Sequence, residues 1–168
     1  LTAKPFLILF NVDESKLAQM PSIEEEMSHR LEAPLVGCAA VCGSLEAELV
    51  QMDKAEELEF RQSLAAGESG ASKVVQLSYG LVGLSTFFTV GQDEVKAWSI
   101  PVDISAAKAA GTIHSDIERG FIRAEVIAYQ TLIECGSLTE ARRRGVLRAE
   151  GRNYSVQDGD VINFLFNV

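Results

Sequence analysis

Residues 3–14 read "AKPFLILFNVDE", and the fold turns on how they are interpreted. Five large apolar residues, Phe6 to Phe10, follow one another without a polar break. That is the pattern of a strand buried on both faces of a parallel sheet, here expected over Pro5 to Phe10. The strand runs straight into Asn11, Val12, Asp13 and Glu14. An amide and two carboxylates in that place have two readings. One is an Asx-type turn with solvated acids. The other is a polar ligand, such as a nucleotide base, beyond the carboxyl end of the strand, where Asn offers a donor and an acceptor and a carboxylate accepts two hydrogen bonds.

Working outward, Ser22 ahead of Glu24, Glu25 and Glu26 predicts a helix start, with Ser22 as cap and Glu25 completing a capping box. The helix is expected to run to about Leu31, to be broken by Pro34, and to be followed by a second apolar strand over Leu35 to Val41. Strand, helix and strand make a βαβ unit with a right-handed crossover. Its second loop, Cys42-Gly43-Ser44, then lies beside the first, and a Gly-Ser turn there offers backbone N–H groups. Leu45, Leu49 and Met52 are spaced for one helical face, and Asp53 with Glu56 starts another helix that ends near Leu64. Residues 65–72 read as a loop and Ser72 to Leu81 as a helix with Val75 and Leu81 inward.

The character changes at residues 82–84. "STFFTVG" and "EVKAWSIPV" flank Gly91-Gln92-Asp93 as a hairpin, residues 104–120 are small and helical, and "FIRAEVIAY" alternates as a half-buried strand. "LTEARRRGVLRAEG" holds a short helix with a Gly stop, and "YSVQDGDVINFLFNV" reads as a last hairpin turning at Asp158-Gly159. The fold class is therefore α/β followed by a compact α+β module.

With 47% hydrophobic and 23% charged residues among 168, disorder is excluded. The net charge of −9 is uneven: residues 1–83 hold 6 Lys and Arg against 13 Asp and Glu, residues 84–168 hold 9 against 11. The first half should avoid polyanions, whereas basic clusters in the second could meet phosphates. No apolar run approaches the roughly 20 residues that span a bilayer, and no signal peptide opens the chain. Cys38, Cys42 and Cys135 lack a disulfide framework, which fits a reducing, cytoplasmic compartment; Cys38-x₃-Cys42 has no neighbouring His or second Cys pair, so small core hydrophobes are expected rather than zinc ligands. A first residue that is Leu, set almost inside a strand, looks like part of a longer protein.

"AKPFLILFNVDE" followed by "CGSLEAEL" resembles the base-recognition loops of the YchF / Obg-like ATPase family of P-loop proteins. "TFFTVGQDEVKAWSI", "AAGTIHSDIERGFIRAEVIAY" and "EGRNYSVQDGDVINFLFNV" resemble that family's C-terminal TGS domain. The resemblance implies that residues 1–82 are the C-terminal portion of a Rossmann-like P-loop NTPase (G) domain and 84–168 a β-grasp (ubiquitin-like) TGS domain. It implies base binding by Asn11, Val12, Glu14, Cys42, Gly43 and Ser44. It also implies ATP or GTP with Mg²⁺ in the full-length parent, and association with the ribosome on its large-subunit side. No G-x-x-x-x-G-K-[ST] occurs in residues 1–168, so this chain alone is expected to hold no phosphates or Mg²⁺ and to be inactive. Where typical GTPases resemble N-K-x-D, this chain has Val12 and Glu14, a change that weakens guanine selectivity.

Arg142, Arg143 and Arg144 read as a solvated face, or with Lys96, Arg119, Arg123, Arg148 and Arg152 as an RNA or ribosome contact patch. His114-Ser115-Asp116 are consecutive residues, which rarely converge as a triad; a structural His or a phosphate contact is the expectation. The competing function class is a non-catalytic protein- or RNA-binding module acting through the TGS domain.

Overall fold

The computed structural model describes residues 4–31, 33, 35–64, 66–91 and 94–167, and the chain divides into two compact units, Leu1–Val82 and Gly83–Val168. The breaker Pro34 and the turn residues Gln92 and Asp93 lie outside the described residues.

In the first unit, β1 (Phe6–Asn11) pairs in parallel with β2 (Val36–Val41), from Phe6 opposite Val36 to Asn11 opposite Val41. β2 begins one residue later than expected because Leu35 adopts φ 67, in the left-handed region, and cannot continue a strand backward. A 3-10 turn, Glu14–Gln19, leads directly into α1 (Met20–Arg30). This corrects the predicted capping: Ser22 lies inside α1, and the N-cap is Gln19 with no side-chain bond. Pro21 explains the early start, since its missing N–H is tolerated in a first turn. The acids following it are not all dipole partners either. Glu24 turns to the sheet, where its Oε1 accepts the Ala40 N–H of β2 at 2.6 Å and pairs with Lys73.

β1 is not enclosed on both faces as predicted: Phe6 and Leu9 are exposed. Among the described residues β1 is joined by one strand, and sealing both faces of a parallel sheet takes helices on each. α1 and α4 (Gly70–Leu81) pack on the strand pair. α4 starts at Gly70 rather than Ser72, because the Ser69 hydroxyl caps it by accepting the Ser72 N–H. Its inward face is Val74, Leu77, Ser78 and Leu81; Val75, expected inward, is exposed, one position out of phase with that stripe. Leu81 reaches β2 at Gly37, where a Cβ would lie 3.0 Å from Leu81 Cδ1.

α2 (Gly43–Leu49) buries Leu45 and Leu49 beside Cys42, with Val12, Leu17 and Met52 packed around them. α3 (Lys54–Ser63) is capped by Asp53, whose carboxylate accepts from Ala55 and Glu56. Arg61 of α3 is buried and forks between carboxylates, meeting Glu57 at 2.8 Å and both oxygens of Glu46 at 2.9 and 2.8 Å. The Arg61 hydrogen bond holds the Glu46 carboxyl below its ordinary value, assisted by the Gly70 N–H. One guanidinium thus ties α2 to α3, and Glu46 carries the tie to the start of α4.

The second unit is a five-stranded mixed sheet in the order β4-β3-β7-β5-β6. β3 (Leu84–Val90) and β4 (Val95–Pro101) form the predicted antiparallel pair. They are followed by α5 (Ala106–Ile113), α6 (Ser115–Arg119) and β5 (Phe121–Ala128). Then come α7 (Tyr129–Cys135), which the sequence reading did not anticipate, α8 (Leu138–Arg143), β6 (Arg148–Glu150) and β7 (Asp160–Phe166). The last segment is not a hairpin. Asp158-Gly159 turns the chain into β7, which pairs with β5 antiparallel and meets β3 in parallel at Phe88 and Val161. The turn is fixed from β3, since Asp158 accepts the Thr86 N–H and Thr86 accepts the Gly159 N–H.

Ala106, Ala107, Ala109 and Ala110 let α5 approach one face of this sheet, over Phe87, Ile100, Ala124, Val126, Ile162 and Phe164. Ile127, Ala141 and Val161 form a second cluster with Phe88, Leu132, Leu138 and Leu147. β5 is consequently buried through both Val126 and Ile127, not half-buried throughout. Among the described residues no helix is long and apolar enough to cross a membrane.

Arg61→Ala leaves Glu46 and Glu57 without their shared cation and should destabilise the first unit by about 3 kcal/mol, the low end for a broken buried pair, because both acids keep some solvent. Glu46, with its folded pKa depressed, contributes stability above its ordinary value of 4.5 that is lost as pH falls through the lowered value. Urea unfolding followed by circular dichroism at pH 7 and pH 4 should show the loss, and a smaller acid-side decline in the variant than in the parent.

Candidate functional site

The parallel register ends β1 and β2 at the same level, with Asn11 opposite Val41, and continues one step as Val12 N–H donates to Val41 O at 2.9 Å. The loops leaving that edge are joined side chain to backbone. Asn11 Oδ1 accepts the Gly43 N–H at 2.9 Å, and Ser44 Oγ donates to Glu14 Oε1 at 3.0 Å. Gly43 permits this approach, because a Cβ there would stand 3.2 Å from Asn11 Oδ1. Cys42 is buried, with its Sγ 3.3 Å from Ser44 Oγ. All six residues singled out at this end therefore meet in one place.

Their roles differ in detail from the expectation. Val12 is half-buried against Cys42, Leu45 and Leu49, so it supports the loop from below. Asp13 is spent locally: it caps the 3-10 turn, and the Ser15 backbone N–H holds its carboxyl below the ordinary value. Asn11, Glu14, Gly43 and Ser44 are exposed. With Asn11 Oδ1 committed to Gly43, the carboxamide N–H donors have no partner among the described residues. Glu14 keeps a second oxygen beyond the one that Ser44 holds. What the site presents to a ligand is thus donors from Asn11 and acceptor capacity from Glu14, on a floor of Val12 and the Gly43-Ser44 backbone. The edge of a planar heterocycle with mixed donors and acceptors matches that set.

The basic residues of the second unit are distributed, and most are engaged. Arg142 meets Glu125 at 3.0 Å; Arg143 and Arg144 both meet Glu140, at 2.7 and 2.6 Å. Hydrogen bonds from Arg143 and then Arg144 hold the Glu140 carboxyl down to about 2. Arg119 pairs with Asp116, and Lys96 lies 4.2 Å over the Trp98 ring. Arg123, exposed on β5, stands near Glu125, whose carboxyl is lowered first by the Asn163 amide and then by Arg142. Arg148 donates to the Tyr154 hydroxyl and Arg152 to Phe121 O and Glu118 O. His114 caps α6 by accepting the Asp116 N–H, which leaves no triad geometry.

Besides the Arg61 fork, two polar constellations escaped the sequence reading. One is Glu24 with Lys73, 49 residues apart, at the outer edge of β2. The other is Asp160, buried and accepting from the Tyr154 hydroxyl and the Gln157 N–H. A crevice of about 350 Å³ below α8 is floored by Val90, Leu138 and Val161, but its polar rim of Glu125, Arg142 and Asn163 is bonded within itself. Among the described residues no three His, Cys, Asp or Glu converge to hold a metal.

Comparison with known proteins gives a consistent result. A family model described as "YchF-GTPase_C: Protein of unknown function (DUF933)" matches residues 84–167. The "Ribosome-binding ATPase YchF" of Bacillus subtilis is 43% identical over 171 residues, and that of Escherichia coli O157:H7 41% identical over 170. Each alignment takes in 100% of this chain and 46% of the relative, so the chain spans about half the length of the curated relatives it matches. The solved Schizosaccharomyces pombe YchF GTPase is similar with a TM-score of 0.77 at 28% identity, covering 98% of this chain and 44% of that one. A GTP binding protein from Pyrococcus horikoshii OT3, TM-score 0.63 at 16% identity, covers 98% of this chain and 46% of its own, and shares the fold.

Glu140→Gln removes the negative charge shared by Arg143 and Arg144, leaving only one neutral amide acceptor for two guanidiniums. Binding to a single-stranded RNA should tighten at low salt, and its log–log salt slope should steepen by about 0.7 for each freed guanidinium that meets a phosphate. In the parent chain the two pairs should persist down to pH 4, because Glu140 stays ionised until pH approaches its depressed value of about 2.

Proposed function

The chain belongs to the YchF family, and from that premise we propose that it is the C-terminal part of a cytoplasmic, ribosome-associated nucleotide-binding protein that hydrolyses ATP, with GTP as a second substrate, in its full-length form. Residues 1–82 form the C-terminal portion of a P-loop G domain, and residues 84–168 a β-grasp TGS domain. The observation that carries the reading is the meeting of Asn11, Glu14, Gly43 and Ser44 beyond the carboxyl ends of two adjacent parallel strands, where open α/β sheets take their ligands.

The division of labour follows from chemistry. No G-x-x-x-x-G-K-[ST] occurs in residues 1–168, so the contribution assigned to them is made at the base rather than at the phosphates. Its task is selection. Asn11 donates to a ring nitrogen of the base, Glu14 accepts from an exocyclic amine, and the Gly43-Ser44 backbone closes one side. Charge-assisted contacts of this kind contribute about 1.5–3 kcal/mol each, enough for a tenfold preference between bases.

For the second unit, pairing of Arg142, Arg143, Arg144 and Arg119 with carboxylates favours a protein partner at the ribosome over direct RNA contact. Co-sedimentation of the full-length protein with ribosomes should then weaken only slightly between about 50 and 200 mM salt. A thousandfold fall would mark several phosphate contacts instead.

In the full-length protein, the double substitution Val12→Lys with Glu14→Asp should move nucleotide preference from ATP toward GTP by about tenfold, as measured by equilibrium binding. An unchanged ratio would show that this loop does not read the base.

A further inference from the structure

Resting on that reading of the loops, we infer that Ser44 is a positioning residue for base selectivity: by donating to one oxygen of Glu14 it leaves a carboxylate suited to a base edge with one donor. The hydroxyl of Ser44 has a single hydrogen, and a carboxylate is a stronger acceptor than a thiol. That hydrogen goes to Glu14 Oε1, at 3.0 Å, and the contact of 3.3 Å with Cys42 Sγ is then a thiol donating to the Ser44 oxygen. The result is a directed chain, Cys42 to Ser44 to Glu14. It is anchored at its buried end, where Cys42 packs against Leu45 and Leu49. Asn11 fixes the intervening residue by accepting the Gly43 N–H, so the Ser44 side chain leaves from a held backbone.

The consequence lies in how the two purines present donors. Guanine offers two adjacent N–H donors on its Watson–Crick edge, and a carboxylate meets both by using its two oxygens side by side. Adenine offers one donor, the exocyclic amine, next to an acceptor. A Glu14 whose Oε1 is engaged and oriented by Ser44 retains Oε2 for a single donor, which suits adenine and handicaps guanine. Ser44 need not touch the base to do this.

The test uses the full-length protein and equilibrium binding of ADP and GDP, which removes hydrolysis from the measurement. Ser44→Ala should raise GDP affinity relative to ADP by about two- to tenfold, the span for one net hydrogen bond. Ser44→Thr, which keeps the hydroxyl, should retain the parental ratio. In a Glu14→Ala background, Ser44→Ala should leave the ratio where Glu14→Ala put it. If Glu14→Ala shifts the ratio while Ser44→Ala does not, or if Ser44→Ala weakens both nucleotides equally, the positioning role is refuted and the base site stands. If Glu14→Ala itself leaves the ratio unchanged, the base-site reading fails and the role of Ser44 fails with it.

Discussion

The outer edge of β2 carries an N–H that β1 cannot reach, and the first unit is organised around the carboxylate that takes it. Glu24 Oε1 accepts from Ala40 and meets Lys73, so one oxygen joins strand, α1 and α4. An unpaired strand edge is a template for adventitious pairing, and a buried N–H without a partner costs about 1–3 kcal/mol. Satisfying both demands with a side chain from the crossover helix fixes α1 against β2 in rotation as well as distance. That placement sets where the two strands end relative to their loops. The meeting of Asn11 with Gly43 and of Glu14 with Ser44 depends on β1 and β2 ending level.

Charge is handled by the same local logic throughout. Arg61 is placed between Glu46 and Glu57, Arg142 by Glu125, and Arg143 and Arg144 by a single Glu140. Pairs this close cancel over a few ångströms, so a run of three arginines generates little long-range field. The linear sequence of charges is a poor guide to the surface potential here, because the neutralising acids come from neighbouring turns of the helix and from β5.

This explains what was legible in the sequence. Short-range patterns were: the apolar run of β1, the Asp53 cap, the Leu45 and Leu49 stripe and the β3–β4 hairpin all rest on neighbours a few residues apart. The convergence of the two loops was legible as well, since their residues sit at the ends of two such patterns. What escaped depends on distant partners. Ser22 lost its capping role because a 3-10 turn and Pro21 had already begun the helix. Val75 pointed outward because the α4 stripe is set by contact with β2, one position away from the spacing the sequence suggested. The final strand looked like half of a hairpin because its Asp-Gly turn has that local chemistry, while its true neighbours are β3 and β5.

The insertion of β7 between β3 and β5 bears on the order in which the chain can acquire structure. Thr86 and Asp158, whose hydrogen bond sets the turn into β7, are 72 residues apart in sequence. A nascent chain emerging from its amino end therefore exposes β3 and β4 with one side of β3 unoccupied, and Phe87 without Phe164, until the later segment follows. Closure by the most distant strand raises contact order and slows the concluding step. During vectorial synthesis this unit must stay open, and its unfinished edge needs shielding, until β7 is threaded into the gap.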